Sequence, residues 1–492
     1  MPRINILEDK LTRATGTIGT DIPYIPGFVS KICYEYKLTK DAEKSDSNTY
    51  YIVSDTSADG YAQAGETDTD VKKLYEKGSC LTPYAPTLCT SVEQFEALFG
   101  KFAKSWTAEV STLDIAAGEF DRSYLMAKEL LKLGMPVYYH AINIKKDATG
   151  TSIELDTDNN FYTNLAGSGE SGSVARIDEL YDLGEYTIKY ITSGGYGNMP
   201  NTSASTPSAV EEGEEEPTAS TSGINLLASK MIDIAATRGD CVALIEAGCS
   251  QYTTLATTGT SFYAALQNGI ASDNDKYAAA FTPWGEYNIP SANLVNQKMP
   301  ACFGYLATLA SNIKVSPNWL AMAGTTRGLV PNLTKLCPVE RLNNKIADSY
   351  QPTTTGRAIN AITDIKPYGL CIWGNRTLAN ITNGLDGMHF LNTRNMISDI
   401  KKVAYRVAKS LIYEQNNEML WLNFKSQVAP FLEQLKSGAG IADYKLLKLD
   451  THYNGSSLGK EEFACAIRII PVYAVESFEI TIVISDADVA VE

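Results

Sequence analysis

Residues 123–142, SYLMAKELLKLGMPVYYHAI, combine a helical pattern, a glycine turn and an apolar strand in direct succession. Apolar residues recur three to four positions apart over Ser123–Leu133, which predicts an amphipathic helix that Gly134 ends. The following Pro136–Ile142 is rich in Val, Tyr and Ile, which predicts a strand. A helix that leads through a short turn into an apolar strand is typical of an α/β layer.

The same alternation extends outward from this stretch. Upstream, Ser91 is predicted to cap a short helix together with Gln94, and Gly100 ends that helix. Its apolar face carries Phe95, Leu98 and Phe99. Downstream, the predicted elements are helix Ile224–Thr237, strand Cys241–Glu246, helix Ser261–Asn268, strand Tyr277–Phe281, helix Ala301–Ser311 and strand Gly369–Trp373. The chain is therefore predicted to hold an α/β core with a largely parallel sheet, formed by residues 41–150 and 223–378.

Two polar segments interrupt the core. Residues 151–200 are predicted to be a β-rich insertion, with Tyr186–Thr192 as its clearest strand. Residues 201–222 combine Ser, Thr and Pro with a cluster of glutamates, so they cannot bury an apolar face. We interpret them as an acidic linker, and a specific acidic docking site is the alternative. The glutamates are Glu211, Glu212, Glu214, Glu215 and Glu216.

The C-terminal part of the chain has a different pattern. Residues 379–475 are predicted to form an α+β C-terminal domain, with a long amphipathic helix over Asn392–Glu414. A second helix is predicted over Asn417–Lys436, kinked or restarted at Pro430 because proline removes a helical hydrogen bond.

Both ends of the chain are predicted to be extended arms. Residues 1–40 interleave isoleucines, among them Ile18 and Ile22, with Gly and Pro, and they show little helical periodicity. Residues 476–492 contain a strict alternation whose apolar face must be buried somewhere. That face consists of Phe478, Ile480, Ile482 and Ile484. It either pairs with Phe463–Ile470 as a hairpin or pairs with another subunit, since unpaired strand edges favour aggregation.

Composition excludes several classes of function. With 492 residues, 44% hydrophobic and 20% charged, the chain is expected to be a soluble protein of two to four structural units, without signal peptide or membrane span. A net charge of −15 argues against nucleic-acid binding. Nine dispersed cysteines are expected to be reduced thiols, and three histidines make a metal site improbable. No cofactor motif is present, neither a Walker A sequence nor a dinucleotide-binding glycine pattern.

One motif tests the enzyme hypothesis. The stretch Gly259-Thr260-Ser261-Phe262-Tyr263-Ala264 resembles the nucleophile region of subtilisins, with one residue too many before the alanine. A triad needs a histidine base, and the only upstream histidine, His140, sits within a predicted strand. Ser261 is therefore interpreted as a helix N-cap, and no catalytic residue is predicted.

Three ordered segments resemble the contractile tail sheath family. The first is Thr90–Gly100 with the helix, Gly134 turn and strand that follow it. The second is Ile372–Leu378, which is similar to a Trp-Gly-x-Arg-Thr-Leu motif. The third is Leu391–Arg394, followed by a helix and by Leu420-Trp421, Gln427-Val428 and Phe431-Leu432. Thr393-Arg394 stands where two arginines are common in the family.

The resemblance implies a fold and a function. The fold would be a subtilisin-like core with a sheath C-terminal domain, and the terminal arms, through the arm residues named above, would be donated to neighbouring subunits. The function would be a helical sheath that contracts around a tail tube, bound to a baseplate and a tail terminator, in a virion tail assembled in the host cytoplasm. The tube contact would involve Lys402, Arg406, Lys409 and Lys425.

Alternatives remain at this stage. The sheath of a tailocin or a contractile injection system shares the same module. An active subtilisin-like serine hydrolase and a non-contractile surface-layer protein belong to other classes, and the three ordered motifs argue against the latter.

Overall fold

A computed structural model describes most of the core and the C-terminal region. The described residues are 21–29, 32–39, 74–100, 121–146, 153–156, 161–167, 175–182, 186–196, 226–246, 266, 270, 274–313, 315–337, 350–353, 355–382, 384–451, 456, 457 and 459–476.

The helices predicted within the described residues begin and end close to the expected positions. Phe161–Ala166 and Gly324–Arg327 are additional short helices, and the predicted helix Ser261–Asn268 lies almost entirely outside the described residues. The described helices are α1 (Val92–Phe99), α2 (Arg122–Lys132), α3 (Phe161–Ala166), α4 (Leu226–Arg238), α5 (Ala301–Asn312), α6 (Gly324–Arg327), α7 (Leu391–Leu411) and α8 (Glu418–Ser437). Short 3-10 turns cover Arg176–Tyr181, Asp275–Tyr277 and Gly387–His389.

The strands divide among one large sheet and several small ones. They are β1 (Pro23–Gly27), β2 (Tyr34–Thr39), β3 (Leu74–Cys80), β4 (Thr87–Cys89), β5 (Val137–Ala141), β6 (Ile144–Lys146), β7 (Ile153–Leu155), β8 (Tyr190–Thr192), β9 (Val242–Glu246), β10 (Ala278–Thr282), β11 (Gly285–Ile289), β12 (Leu294–Met299), β13 (Leu333–Leu336), β14 (Asn360–Ile365), β15 (Gly369–Trp373), β16 (Ile441–Leu449) and β17 (Ala464–Pro471).

The large sheet is mainly parallel, as predicted. Its strand order is β15-β14-β10-β9-β8-β1-β5-β4, and only the two outer pairs, β14–β15 and β4–β5, are antiparallel. Helices α1, α2 and α5 cover one face and α3 and α4 cover the other. Neighbouring residues of β1 therefore enter opposite halves of the core, Ile25 on the first face and Tyr24 on the second. Burial on both faces is typical of a parallel sheet.

Part of the expected N-terminal arm lies inside the core. Strand β1 pairs with β5 on one side and with β8 on the other, and Ile22 just before it is 4% exposed. Ile22 is thus a core residue, which corrects its assignment to a free arm. At the end of the strand, a Cβ on Gly27 would lie 2.1 Å from Ser123 Oγ, so this close approach requires glycine. Ile18 lies outside the described residues.

Part of the expected insertion over residues 151–200 also belongs to the core. Strand β8 lies between β1 and β9 in the large sheet, and its three residues are buried. The 3-10 turn Arg176–Tyr181 packs with α4 beneath the sheet. Among the described residues of this stretch, only β7 fits the description of a β-rich addition, and it pairs with β6, which precedes the stretch.

The chain divides into two compact units. The first contains residues 1–318 and 322–402, and the second contains residues 319–321 and 403–492. Within the second unit, β16 and β17 form an antiparallel hairpin, and Trp421 and Phe424 of α8 contact Phe463 beside it. Helix α8 spans Pro430 as one helix, so it does not restart there, which was one of the two outcomes that the sequence predicted.

Candidate functional site

The carboxyl edge of the parallel sheet is where an open α/β fold places its ligands, at the point where the strand order reverses. In this chain that point lies between β1 and β8. The edge is filled by a hydrogen-bonded cluster around Asp121, which caps α2. Asp121 accepts from the Phe28 amide at 3.1 Å and from the hydroxyls of Ser123 and Tyr196 at 2.6 and 2.8 Å. Burial raises the pKa of Asp121, and these hydrogen bonds oppose that rise.

A second polar cluster lies at the carboxyl end of β9. Glu246 accepts a short hydrogen bond from Ser193, and its second oxygen, Oε2, has no hydrogen-bond partner among the described residues. Burial raises the pKa of Glu246 to about 7, although interactions with Ser193 and Cys302 lower it. A cavity of about 10 Å³ adjoins the cluster, room for about one water molecule. Burial also raises the pKa of the Cys302 thiol well above its ordinary value, so this thiol is a poor nucleophile.

His140 is placed as a core residue. It is fully buried in β5, and its Nδ1 lies 2.8 Å from the Tyr24 hydroxyl. Burial and the neighbouring Arg176 charge hold the pKa of His140 well below its ordinary value. An imidazole with so low a pKa is a weak general base. Ser261 lies outside the described residues.

Within the described residues, no group of three or more His, Cys, Asp or Glu side chains is arranged to hold a metal ion. The same part of the chain has no helix that is both long and apolar enough to cross a membrane.

The β16–β17 hairpin offers a different kind of site, a pair of strand edges. Each strand has one partner, so the outer edge of each has no paired strand among the described residues. The chain then leaves β17 with apolar side chains in solvent. Val472 is 41% exposed, Tyr473 51% and Val475 73%. Open edges next to exposed apolar residues are suited to strand addition by another chain.

The four residues predicted to contact a tube do not share one environment. Arg406, Lys409 and Lys425 are exposed. Lys402 is 8% exposed, and burial lowers its pKa to about 8. Lys402 therefore cannot present its ammonium to a partner, and the prediction is wrong for this residue. Lys402 lies on the inner side of α7. The spacing of basic residues in the sequence does not show that this side of the helix is buried, so the burial of Lys402 was not predicted.

The predicted arm residues of the C-terminus lie outside the described part. These are Phe478, Ile480, Ile482 and Ile484. Their proposed hairpin partner, Phe463–Ile470, includes most of β17, and β17 pairs with β16. Strand β16 was not predicted from the sequence, although its Tyr444 and Leu446 are a strand signal.

Comparison with known proteins agrees with the sequence resemblance. Residues 386–485, which include the hairpin, match the phage tail sheath C-terminal domain family. The tail sheath protein of Enterobacteria phage T4 is 25% identical over 216 residues, 44% of this chain. The tail sheath protein of Vibrio phage KVP40 is 22% identical over 203 residues, 41% of this chain. The matched region spans 29% of the length of each of these two relatives.

A solved structure shares the fold over nearly the whole chain. A chain of the anti-feeding prophage baseplate in its contracted state superposes with a TM-score of 0.55 at 14% sequence identity. The match covers 99% of this chain and 98% of that one. The predicted similarity to tail sheath proteins is confirmed, and the mixed α/β fold is shared with the solved chain.

Proposed function

We propose that this chain is a structural subunit of a contractile tail sheath. In this role it polymerises helically around a tail tube and contracts to drive the tube through the host envelope. The observation that carries the proposal is the match of residues 386–485 to the sheath C-terminal domain, because this region contains a hairpin whose outer edges have no paired strand among the described residues. The proposed function does not include catalysis. The core cluster around Asp121 supports this, since its polar atoms bond to one another.

The subunits are joined through their ends. The segment before residue 21 and the alternating strand of residues 476–492 add to open hairpin edges of neighbouring copies. Strand addition relies on backbone hydrogen bonds, which tolerate rotation of a subunit as long as the connecting residues bend. A polymer whose subunits are joined in this way shortens without dissociating. The α/β core of each subunit is proposed to be subtilisin-like in topology.

The partners follow from the same role. They are other copies of this chain, a tail tube protein, a baseplate and a tail terminator. The sheath assembles in the host cytoplasm and is then part of the virion tail. Arg406, Lys409 and Lys425 remain the proposed tube contacts, since all three are exposed. The sheath of a tailocin or contractile injection system is the alternative assembly, favoured by the fold shared with the anti-feeding prophage chain.

Truncation after Val475 tests the proposal. The expected product is a soluble monomer with a melting temperature close to that of the full chain, since the removed strand pairs only between subunits. In a pelleting assay the full chain sediments as a polymer and the truncated chain stays in the supernatant. A truncated chain that unfolds would place the strand in its own core, and one that still pellets would make the arm dispensable.

A further inference from the structure

One lysine of the core lies between two carboxylates at a site that excludes solvent. The side-chain nitrogen Nζ of Lys189 is 2.8 and 2.7 Å from the two oxygens of Asp399 and 2.8 Å from Asp21 Oδ1. The side chains of Lys189 and Asp21 are fully buried, and that of Asp399 is 6% exposed. An amine nitrogen and a carboxyl carbon are therefore held side by side in a dry interior.

Other lysine–aspartate pairs of similar length lack these surroundings. Lys230 lies 2.9 Å from Asp178, and Lys436 lies 2.8 Å from Asp443. The first pair is half-buried and the second is exposed, so water competes for the charged groups of both. Among the described residues, neither lysine contacts a second carboxylate. The pair in the core differs from both in its burial and in its additional carboxylate.

Burial favours the uncharged forms of these groups. It raises the pKa of Asp399, so this carboxyl holds a proton more readily than one in water. Burial alone would lower the pKa of Lys189, but the charges of Asp21 and Asp399 outweigh it and raise that pKa. The ammonium is therefore the resting form, and Nζ becomes a nucleophile only after it passes a proton to a carboxylate. Asp21 lies within hydrogen-bond distance to accept that proton.

We propose that Lys189 and Asp399 join in an amide cross-link, with Asp21 as the general base. A bond forms between Nζ and Cγ of Asp399, and the bond from Cγ to one carboxyl oxygen breaks. Starting from the ion pair, Nζ keeps one of its three protons, and the other two leave with that oxygen as water. Asp21 carries these protons to the leaving oxygen and ends as a carboxylate. The reaction therefore needs no oxidant or reductant.

Three features of the site favour this bond. Asn318 donates a hydrogen bond to Asp399 Oδ2 at 2.9 Å, where negative charge develops during the attack. Groups fixed in contact react at effective concentrations of up to roughly 10⁵–10⁸ M. The reaction also removes one buried positive and one buried negative charge, which are costly to keep out of water. The amide links the residue before β8 to α7, 210 residues later in the chain, whether or not the chain forms a sheath.

Mass spectrometry of the denatured full-length chain tests the proposal. The expected mass is that of the sequence less one water molecule, since the bond survives unfolding. A tryptic digest should contain a branched peptide in which Lys189 is joined to Asp399. The two solvent-accessible lysine–aspartate pairs described above are internal controls and should give linear peptides only. The full sequence mass with linear peptides alone would overturn the cross-link.

Two variants separate the reactants from the base. Lys189→Gln should retain the full sequence mass because it has no amine. Asp21→Asn cannot accept the proton, so in a time course after synthesis its cross-link should form about 100-fold more slowly. A folded Asp21→Asn chain, identified by circular dichroism, that cross-links at the wild-type rate would overturn the role of Asp21. For a variant that does not fold, the branched peptide of the wild type alone decides the bond.

Discussion

The ammonium group of Lys189 lies 2.8 and 2.7 Å from the two carboxylate oxygens of Asp399, although 210 residues separate them in the chain. The same ammonium lies 2.8 Å from Asp21 Oδ1, and Asn318 donates hydrogen bonds to both carboxylates. The side chains of Lys189 and Asp21 are fully buried. This network joins the residues before β1, the residue before β8 and helix α7 inside the first unit.

Replacing the central cation should destabilise the fold severely. Lys189→Met removes the ammonium group that lies between two buried carboxylates, which costs about 3–5 kcal/mol. Urea unfolding measures the loss. The matched control is Lys230→Met, which breaks the half-buried pair with Asp178 and should cost about 1 kcal/mol or less. Equal losses in the two variants would contradict the role assigned to the network.

Glu246 should make stability depend on pH. Its pKa in the folded chain is about 7, above its ordinary value of 4.5. Between these values the folded state keeps a proton that the unfolded state has lost, so stability falls as the pH rises through this window. Below pH 4.5 the carboxyl is neutral in both states, and above pH 7 the loss is complete.

Glu246→Gln should remove this dependence. The variant should gain stability relative to the wild type as the pH rises from 4.5 to 7, by about 3 kcal/mol in total. Melting temperatures at pH 5 and pH 8 measure the difference. The exposed Glu461→Gln is the control and should follow the wild type. A constant difference between Glu246→Gln and the wild type at both pH values would contradict the assignment.

Binding to a tube should depend on the exposed cations. Reversal of Arg406, Lys409 or Lys425 to Glu should weaken co-sedimentation with the tube protein, and the effect should shrink as salt rises. Lys460→Glu is the control, since Lys460 is exposed and the variant makes the same charge change elsewhere in the second unit. Unchanged co-sedimentation across all three reversals would reject these residues as tube contacts.

The acidic linker should be dispensable for folding. Deleting residues 206–220 should leave the melting temperature of the core almost unchanged, because loop length contributes only weakly to stability. Differential scanning calorimetry of the deletion and of the full chain gives the comparison. Loss of the folding transition would mean that these residues pack against the core.

Local signals in the sequence predicted much of the core. Ser91 caps α1, its side chain accepting from the Gln94 amide, and Gly100 follows the end of that helix, all as expected. Strands β5, β9 and β15 are also predictable from local sequence, because each is a short, continuous apolar run bounded by turn residues. These features depend on neighbours in the chain and are therefore readable in one sequence.

Features that depend on distant residues were not predictable in the same way. Strand β1 contains Pro23 and Pro26, and proline usually excludes a central strand, so the segment was interpreted as an arm. Its place in the sheet is set by β5 and β8, more than 100 residues away. Lys402 likewise has a basic side chain whose burial depends on tertiary packing. The pairing of Lys189 with Asp399 depends on packing between residues 210 positions apart.

Negative-stain electron microscopy of the purified full-length chain tests the central claim most directly. A sheath subunit assembles into helical tubes or stacked rings of uniform diameter, because each copy is proposed to add its terminal segments to the hairpin edges of the next. The account predicts such tubes or rings. Discrete single particles at every protein and salt concentration would contradict it.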